Sequence, residues 1–445
     1  MKKFSLNKEV LRLSVPSIFA NITLPLVGMI DMVLAGKIGT TTCIGAVAIA
    51  TMLFDMLYWN MSFLRLGTSG LVAQAFGRKD QRAAMMAFLR GISTSTLIAM
   101  LIWAIQYVFV DCVLYFTNTS PEVERLARSY YFIRIWAAPA TLGLYVFKGF
   151  FIGMQNATAS MIVDLVVNIG NIVLSLVCVA VYLMGFDGIA MGTLLAQYLG
   201  LIVAIAIMLI KYRRMFSCLG GKSFKLLAKE VLDRSEIIKF CSLNSNLFIR
   251  SLGMLCIYCG FTGLSANYGD TMLAVNAIIL KILMLYSFFL DGFAYAGEAL
   301  TGRFIGAGDS LNLKGTVKIV FRWCWGICIV SAIIYFLWME NLVAFFTDNR
   351  SVIATAMHYK AWLIILPVTS CVAFTWDGIY IGATASKPMR NSVILSVIGF
   401  FIFYYCMKST MGVSAIWGAY LLHVVIRGLY LTLVRRKYIT LQISE

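Results

Sequence analysis

Apolar runs of roughly 18–25 residues, each long enough for a helix to cross a bilayer, recur from one end of the chain to the other, about twelve in all. Short polar or basic segments separate them. The pattern predicts an all-α polytopic membrane protein of twelve transmembrane helices and leaves no stretch for a separate soluble domain. The first run, SVPSIFANITLPLVGMIDMVLAGKIG from Ser14 to Gly39, carries Pro16, Asn21, Pro25 and Asp31 inside it. A carboxylate within a membrane helix costs roughly 2.5–3.5 kcal/mol on insertion scales, and it ordinarily faces the bundle interior or a wet cavity. Pro25 lacks an N–H and crowds the carbonyl of Asn21, so a bend is expected on the approach to the acid, and Pro25 is the candidate hinge. A plainer reading also stands: Asp31 caps the outer end of the helix, where Gly36, Lys37 and Gly39 signal a turn.

An internal repeat with an offset of about 229 residues organises the runs. GLVAQAFGRKD, from Gly70, recurs as GEALTGRFIGAGD, from Gly297; KGFFIGMQNATAS, from Lys148, recurs as DGIYIGATASKPM, from Asp377. Each half then holds about six spans, and an even number returns the chain to its starting side, so the halves have parallel topology about an axis along the membrane normal. The predicted organisation is an N-terminal six-helix bundle over residues 1–210, a cytoplasmic linker over 211–240 and a C-terminal six-helix bundle over 241–445. The two pseudo-twofold-related bundles are expected to enclose a central cleft, and the basic linker to lie as an amphipathic helix on the inner surface.

Composition agrees: 61% of residues are hydrophobic and 13% charged, against about 25% charged in soluble domains. The net charge of +17 suggests nucleic acid until its distribution is followed. Lys2, Lys3, Lys8 and Arg12 precede the first span; Arg78, Lys79 and Arg82 follow the second; Lys211, Arg213, Arg214, Lys222, Lys225 and Lys229 follow the sixth; Arg435, Arg436 and Lys437 follow the last. The alternate connections carry Glu122, Glu124, Asp187, Asp270, Glu340 and Asp348. The positive-inside rule therefore places both termini in the cytoplasm of a multi-pass protein of the cell membrane, and nucleic acid drops out as a partner. MKKFSLNKEVLRLS reads as a cytoplasmic tail rather than a removed signal peptide.

Catalytic chemistry finds little footing. The eleven cysteines are scattered through apolar runs; Cys256 and Cys259, and Cys324 and Cys328, read as small packing residues rather than metal or redox sites. His358 and His423 lack partners at metal-ligand spacing, so no metal and no organic cofactor is expected. Asp291 and Glu298 share a helix face roughly 10 Å apart, a spacing that suits a polar face toward a cavity better than a catalytic dyad. The parallel halves and the intramembrane acid are a transporter's features.

The first run, with Pro16, Asn21, Pro25, Leu26, Gly28, Asp31, Gly36 and Gly39, resembles that of the multidrug and toxic compound extrusion (MATE) family, in its DinF-like branch. The second half agrees through Arg250 in FIRSL, the run Asp291-Gly292-Phe293-Ala294-Tyr295-Ala296 with Glu298, and DGIYIGA from Asp377. The resemblance implies export of organic, often cationic compounds coupled to inward proton or sodium flow. It also implies that Asp31 joins Asn171 of NIGNIVLS and Thr193 of GIAMGTLLAQ in a polar cluster that exchanges protons, with the two neighbours hydrogen-bonding the carboxylate. Many relatives carry a second carboxylate where this chain has Ser175, and its loss weakens the case for sodium, which prefers several hard oxygens including charge. Asn168 and Tyr145 are further candidates for the cluster, and Asp164 reads as an interfacial charge.

Arg250, Lys281, Asp291, Glu298 and Asp377 lie in or near spans, where isolated charges are costly, so some of them should pair. Such a set serves either as a structural network or in substrate binding and gating. Tyr145 is an aromatic candidate for the substrate, and the protein is expected to work as a monomer among membrane lipids. The alternatives are a lipid or oligosaccharide flippase of the same superfamily, a major-facilitator transporter and, from a different class, an integral membrane enzyme acting on lipids.

Overall fold

A computed structural model describes residues 3–38, 41–117, 120–217 and 229–440. Twelve helical stretches among them are long and apolar enough to cross a membrane. Many of their leucines, isoleucines and valines point outward without cover, Val108 at 72% and Leu433 at 80% exposure among them, as a lipid-facing surface requires and a water-facing one rarely tolerates. Lys222 and Lys225 of the predicted linker, and Gly39, lie outside the described residues.

The chain divides into two compact units, Phe19–Cys241 and Met1–Ile18 with Ser242–Glu445. The first holds the end of α1 (Lys3–Ile38), then α2 (Thr41–Tyr58), α3 (Phe63–Gly77), α4 (Gln81–Phe116), α5 (Pro121–Arg134), α6 (Ala138–Gly153), α7 (Ala157–Ala180), α8 (Asp187–Lys211) and the short α9 (Arg213–Ser217). Single 3₁₀ turns at Trp59–Ser62 and Ile135–Ala137 join α2 to α3 and α5 to α6, so each pair makes one span. The second unit holds most of α10 (Arg234–Ala266), then α11 (Asp270–Gly306), α12 (Ser310–Ala344), α13 (Arg350–His358), α14 (Lys360–Gly382), α15 (Ser386–Met411) and α16 (Ser414–Arg435).

The compact N-terminal unit begins at Phe19 rather than at residue 1, because the start of α1 packs on the C-terminal helices. Gly292 on α11 leaves room for Ile18, whose Cγ1 lies 2.3 Å from where a glycine-to-alanine methyl would sit, and Arg303 holds Glu9 at 3.2 Å. α1 continues through Pro16 and Pro25 without ending, so Pro25 removes one rung of the hydrogen-bond ladder inside an unbroken helix.

The repeat read from the sequence is a repeat of junctions. At the ends of α3 and α11 the chain turns through a left-handed residue, Lys79 (φ 59°) and Gly308 (φ 68°), and the next residue caps the following helix. Asp80 accepts from the Ala83 N–H and Asp309 from the Asn312 N–H, both at 2.9 Å. Each aspartate thereby satisfies one of the helix's orphan donors. The second repeated motif is a glycine seam. A methyl on Gly149 would lie 2.5 Å from the Arg65 carbonyl oxygen, and one on Gly378 2.2 Å from that of Ala294. One turn on, Gly153 meets the Ser69 carbonyl and Gly382 that of Glu298, at 2.8 and 2.2 Å. α6 and α3, like α14 and α11, thus touch backbone to backbone, the close approach that small residues permit between membrane helices.

Candidate functional site

In the N-terminal unit, α1, α7 and α8 bring the predicted acid and its two polar partners into buried positions. Asp31 is 6% exposed, Asn171 2% and Thr193 3%. Gly192 clears the way for α7 to approach: a methyl there would overlap Ser175, at 2.3 Å from its Oγ. The bonding differs from the expectation. Thr193 commits its single O–H to the Ile189 carbonyl of its own helix, 3.1 Å away, and accepts from the Asn171 amide at 2.8 Å. That leaves Thr193 no proton to give the carboxylate. Asp31 Oδ1 and Asn171 Oδ1 are both buried and receive no hydrogen bond from the described residues. Ser175 turns its hydroxyl to the Ile189 carbonyl at 3.4 Å, and Asn168 donates to Thr23 at 2.6 Å. Asp164 is held by Lys148 at 2.8 Å, and Lys148 also lies over the Tyr145 ring at 5.5 Å.

Three residues the sequence reading passed over complete the site. Arg134, the last residue of α5, is within Coulombic range of Asp31 and of Asp55 on α2. Its guanidinium sits over the Phe54 ring, 4.4 Å from the centroid, and 5.9 Å from that of Tyr130. The Tyr130 hydroxyl is buried and finds no hydrogen-bond partner among the described residues. The signal was available: Asp55 in TMLFDMLY and Arg134 in YFIRIW are lone charges in apolar runs, the same feature that drew attention to Asp31.

In the C-terminal unit Asp377, just before the glycine seam, accepts from two arginines through one oxygen, Arg250 at 2.6 Å and Arg427 at 2.5 Å. The sequence reading named Arg250 and missed Arg427, which is 1% exposed on α16. One turn before it, His423 is equally buried and gives its Nδ1 proton to the Tyr420 carbonyl at 2.8 Å. Arg427 Nε and Nη1, Arg250 Nε and His423 Nε2 find no partner among the described residues. Glu298 is fully buried beneath Gly382, and Asp291, two turns earlier on α11, is half-buried within Coulombic range of Cys324. Lys281 lines a separate cleft of about 80 Å³ with Tyr258, Phe261 and Asn276. Among the described residues no group of three or more histidines, cysteines and carboxylates is placed to hold a metal ion.

Twelve apolar spans in two compact units, with acids and an arginine buried among them, define a multi-pass membrane protein. A MatE family model matches the chain twice, over residues 16–177 and 247–408, and the chain belongs to that family. The two matches are offset as the internal repeat is. The DNA damage-inducible protein F of Escherichia coli (strain K12) is 31% identical over 98% of this chain and 93% of its own. The Multidrug and toxin extrusion protein 1 of Xenopus tropicalis is 23% identical over 93% of this chain and 69% of its own. Among solved structures the Vibrio cholerae MATE transporter VcmN superimposes with a TM-score of 0.85 at 16% identity, over 100% of this chain and 98% of that one.

Proposed function

We propose that the protein is a secondary antiporter that exports organic, often cationic compounds in exchange for protons by alternating access, with Asp31 as the protonation site. The name of the Xenopus relative, a multidrug and toxin extrusion protein, supports export of drug-like compounds. The observation that carries the coupling is Asp31 itself, buried in a membrane helix with one carboxylate oxygen unserved by any described donor. An ionised carboxylate so placed is costly, and a proton removes the charge. If the outward and inward states differ in proton affinity by one pH unit, the bias between them is about 1.36 kcal/mol, or tenfold. The buried Asn171–Thr193 pair would shape that difference, and Pro25 would lower the stiffness of α1 beside it. The alternation of basic and acidic connections supports a place in the cytoplasmic membrane with both termini inside.

Sodium coupling is the second reading, favoured by the two unserved oxygens, Asp31 Oδ1 and Asn171 Oδ1, and disfavoured by Ser175 in place of a second carboxylate. Efflux of a fluorescent organic cation from vesicles, with proton and sodium gradients imposed separately on wild type and Asp31→Asn, decides between them. The expected result is export driven by protons and lost in the variant. An Asp31→Asn protein that still couples export to a proton gradient overturns the assignment of the acid.

A further inference from the structure

The cleft that Lys281 lines runs in the groove between α10 and α11 and has a volume of about 80 Å³. Every third or fourth residue of α11 from Leu273 to Met284 faces the same stretch of α10, from Tyr258 to Ser265. Among the described residues that line it, Lys281 alone carries a charge and none is acidic. The lysine is too deep to escape to the membrane surface. It sits eleven residues into α11, roughly 16 Å along the axis from Asp270 at 1.5 Å per residue, or about half of a hydrocarbon core of about 30 Å. A snorkelling stem covers only part of that distance. Lys281 also lacks a partner in the fold. Unlike Lys148, Arg250 and Arg303, it makes no ion pair, hydrogen bond or ring contact among the described residues. A lone cation at such a depth costs roughly 2.5–3.5 kcal/mol, and charges of this kind ordinarily mark a path or site for a solute.

The uncharged polar groups of the cleft are largely committed to one another. Asn276 donates its amide to Ser265 Oγ at 2.8 Å, and its Oδ1 accepts from the Trp417 indole N–H at 3.0 Å. Ser265 and Thr262 give their hydroxyl protons to the carbonyls of Phe261 and Tyr258, at 2.7 and 3.1 Å. The ammonium of Lys281, by contrast, has its three N–H donors to offer. Beside it stand two aromatic walls. Phe261 is fully buried and set edge-on against Trp417 at 4.8 Å, while Tyr258 is 40% exposed.

We propose that the cleft between α10 and α11 is a binding site for a small amphipathic organic anion, an aromatic carboxylate or sulfonate by class, with its anionic group on Lys281 and its apolar body along Phe261 and Tyr258. Charge sets the sign of the guest, since an organic cation meets only repulsion there. Depth sets its kind: the phosphate of a bilayer lipid stays at the interface, which Lys281 does not reach. The inference goes beyond the proton-coupled reading, because it adds a second site for a guest of opposite charge, and its test reads binding alone, so the two stand or fall separately.

The test is saturable binding of radiolabelled 2-naphthoate to the purified protein in phosphatidylcholine nanodiscs, with 2-naphthamide and 2-naphthylmethylammonium as competitors of the same apolar body. Wild type should hold the carboxylate at least about tenfold more tightly than either competitor. Lys281→Met should lose that preference while still binding the amide, and Lys281→Arg should keep it. Ala277→Phe, which fills the cleft from an exposed lining position and leaves the charge in place, should lose both ligands. The comparison of the three ligands on wild type needs no variant to fold. No saturable binding in wild type, no preference there for the anion, or an undiminished preference in Lys281→Met overturns the proposal. Full displacement of 2-naphthoate by phosphatidylglycerol placed in the nanodisc would assign the cleft to a lipid headgroup, and overturns it as well.

Discussion

Replacing Asp377 by asparagine is the sharpest probe of the C-terminal cluster, because one oxygen of this side chain serves both Arg250 and Arg427. The amide keeps the shape and removes the charge, and its NH₂ group can turn donors toward donors. Arg427 is 1% exposed and already has Nε and Nη1 without described partners, so water is not at hand to compensate. Removing one partner of a buried ion pair costs about 3–5 kcal/mol, whereas replacing the pair by apolar groups is often neutral. Asp377→Asn should therefore lose about that much stability, and Asp377→Asn/Arg427→Met should regain most of it. Thermal unfolding in detergent, followed by a thiol-reactive dye, suits the purpose, since Cys371 is buried on the same helix as Asp377. A single variant that unfolds at the wild-type temperature would refute the claim that this carboxylate holds the bundle. If such a variant had also lost transport, the cluster's role would be binding or gating.

Two further outcomes follow from the repeated junctions. Gly378→Ala drives a methyl to 2.2 Å from the Ala294 carbonyl, so it should destabilise by about 1–3 kcal/mol, while Gly326→Ala, with nothing within 4 Å, should be neutral or slightly stabilising; paired unfolding curves check the contrast. The Asn312 backbone N–H that Asp309 accepts holds its carboxyl below the usual carboxylate range, so its capping contribution is complete above the unfolded value of about 3.9 and is lost as pH falls below that through the folded value. Asp309→Ala should cost about 0.5–2 kcal/mol at neutral pH, and its difference from wild type should vanish in acid.

The membrane class, the twelve spans and the duplication were legible because hydrophobic length and repeated junction residues are local signals. GRKD and GAGD repeat because each encodes a left-handed turn followed by a capping aspartate. The site was legible only in part. Asp31 stood out as a lone carboxylate in an apolar run, but Asp55 and Arg134 meet the same criterion and were passed over. The competition for Thr193's one proton was equally hidden, since it depends on how the hydroxyl turns toward Ile189. Arg250 and Asp377 were expected to find partners; that Arg427 completes them, 50 residues further on, is a matter of tertiary packing.

The glycine seams have a consequence for how such a protein diversifies. The residue just before the seam is Lys148 in one half and Asp377 in the other, each held by opposite charge from its own bundle, Asp164 in the first and Arg250 with Arg427 in the second. The weld between helices is common to both copies while the polarity mounted beside it is inverted. Duplication thus supplied a common joint, a glycine contact beside which the charge could be rewired in sign. A transporter built this way can evolve a new cargo preference one half at a time, with the fold carried along unchanged.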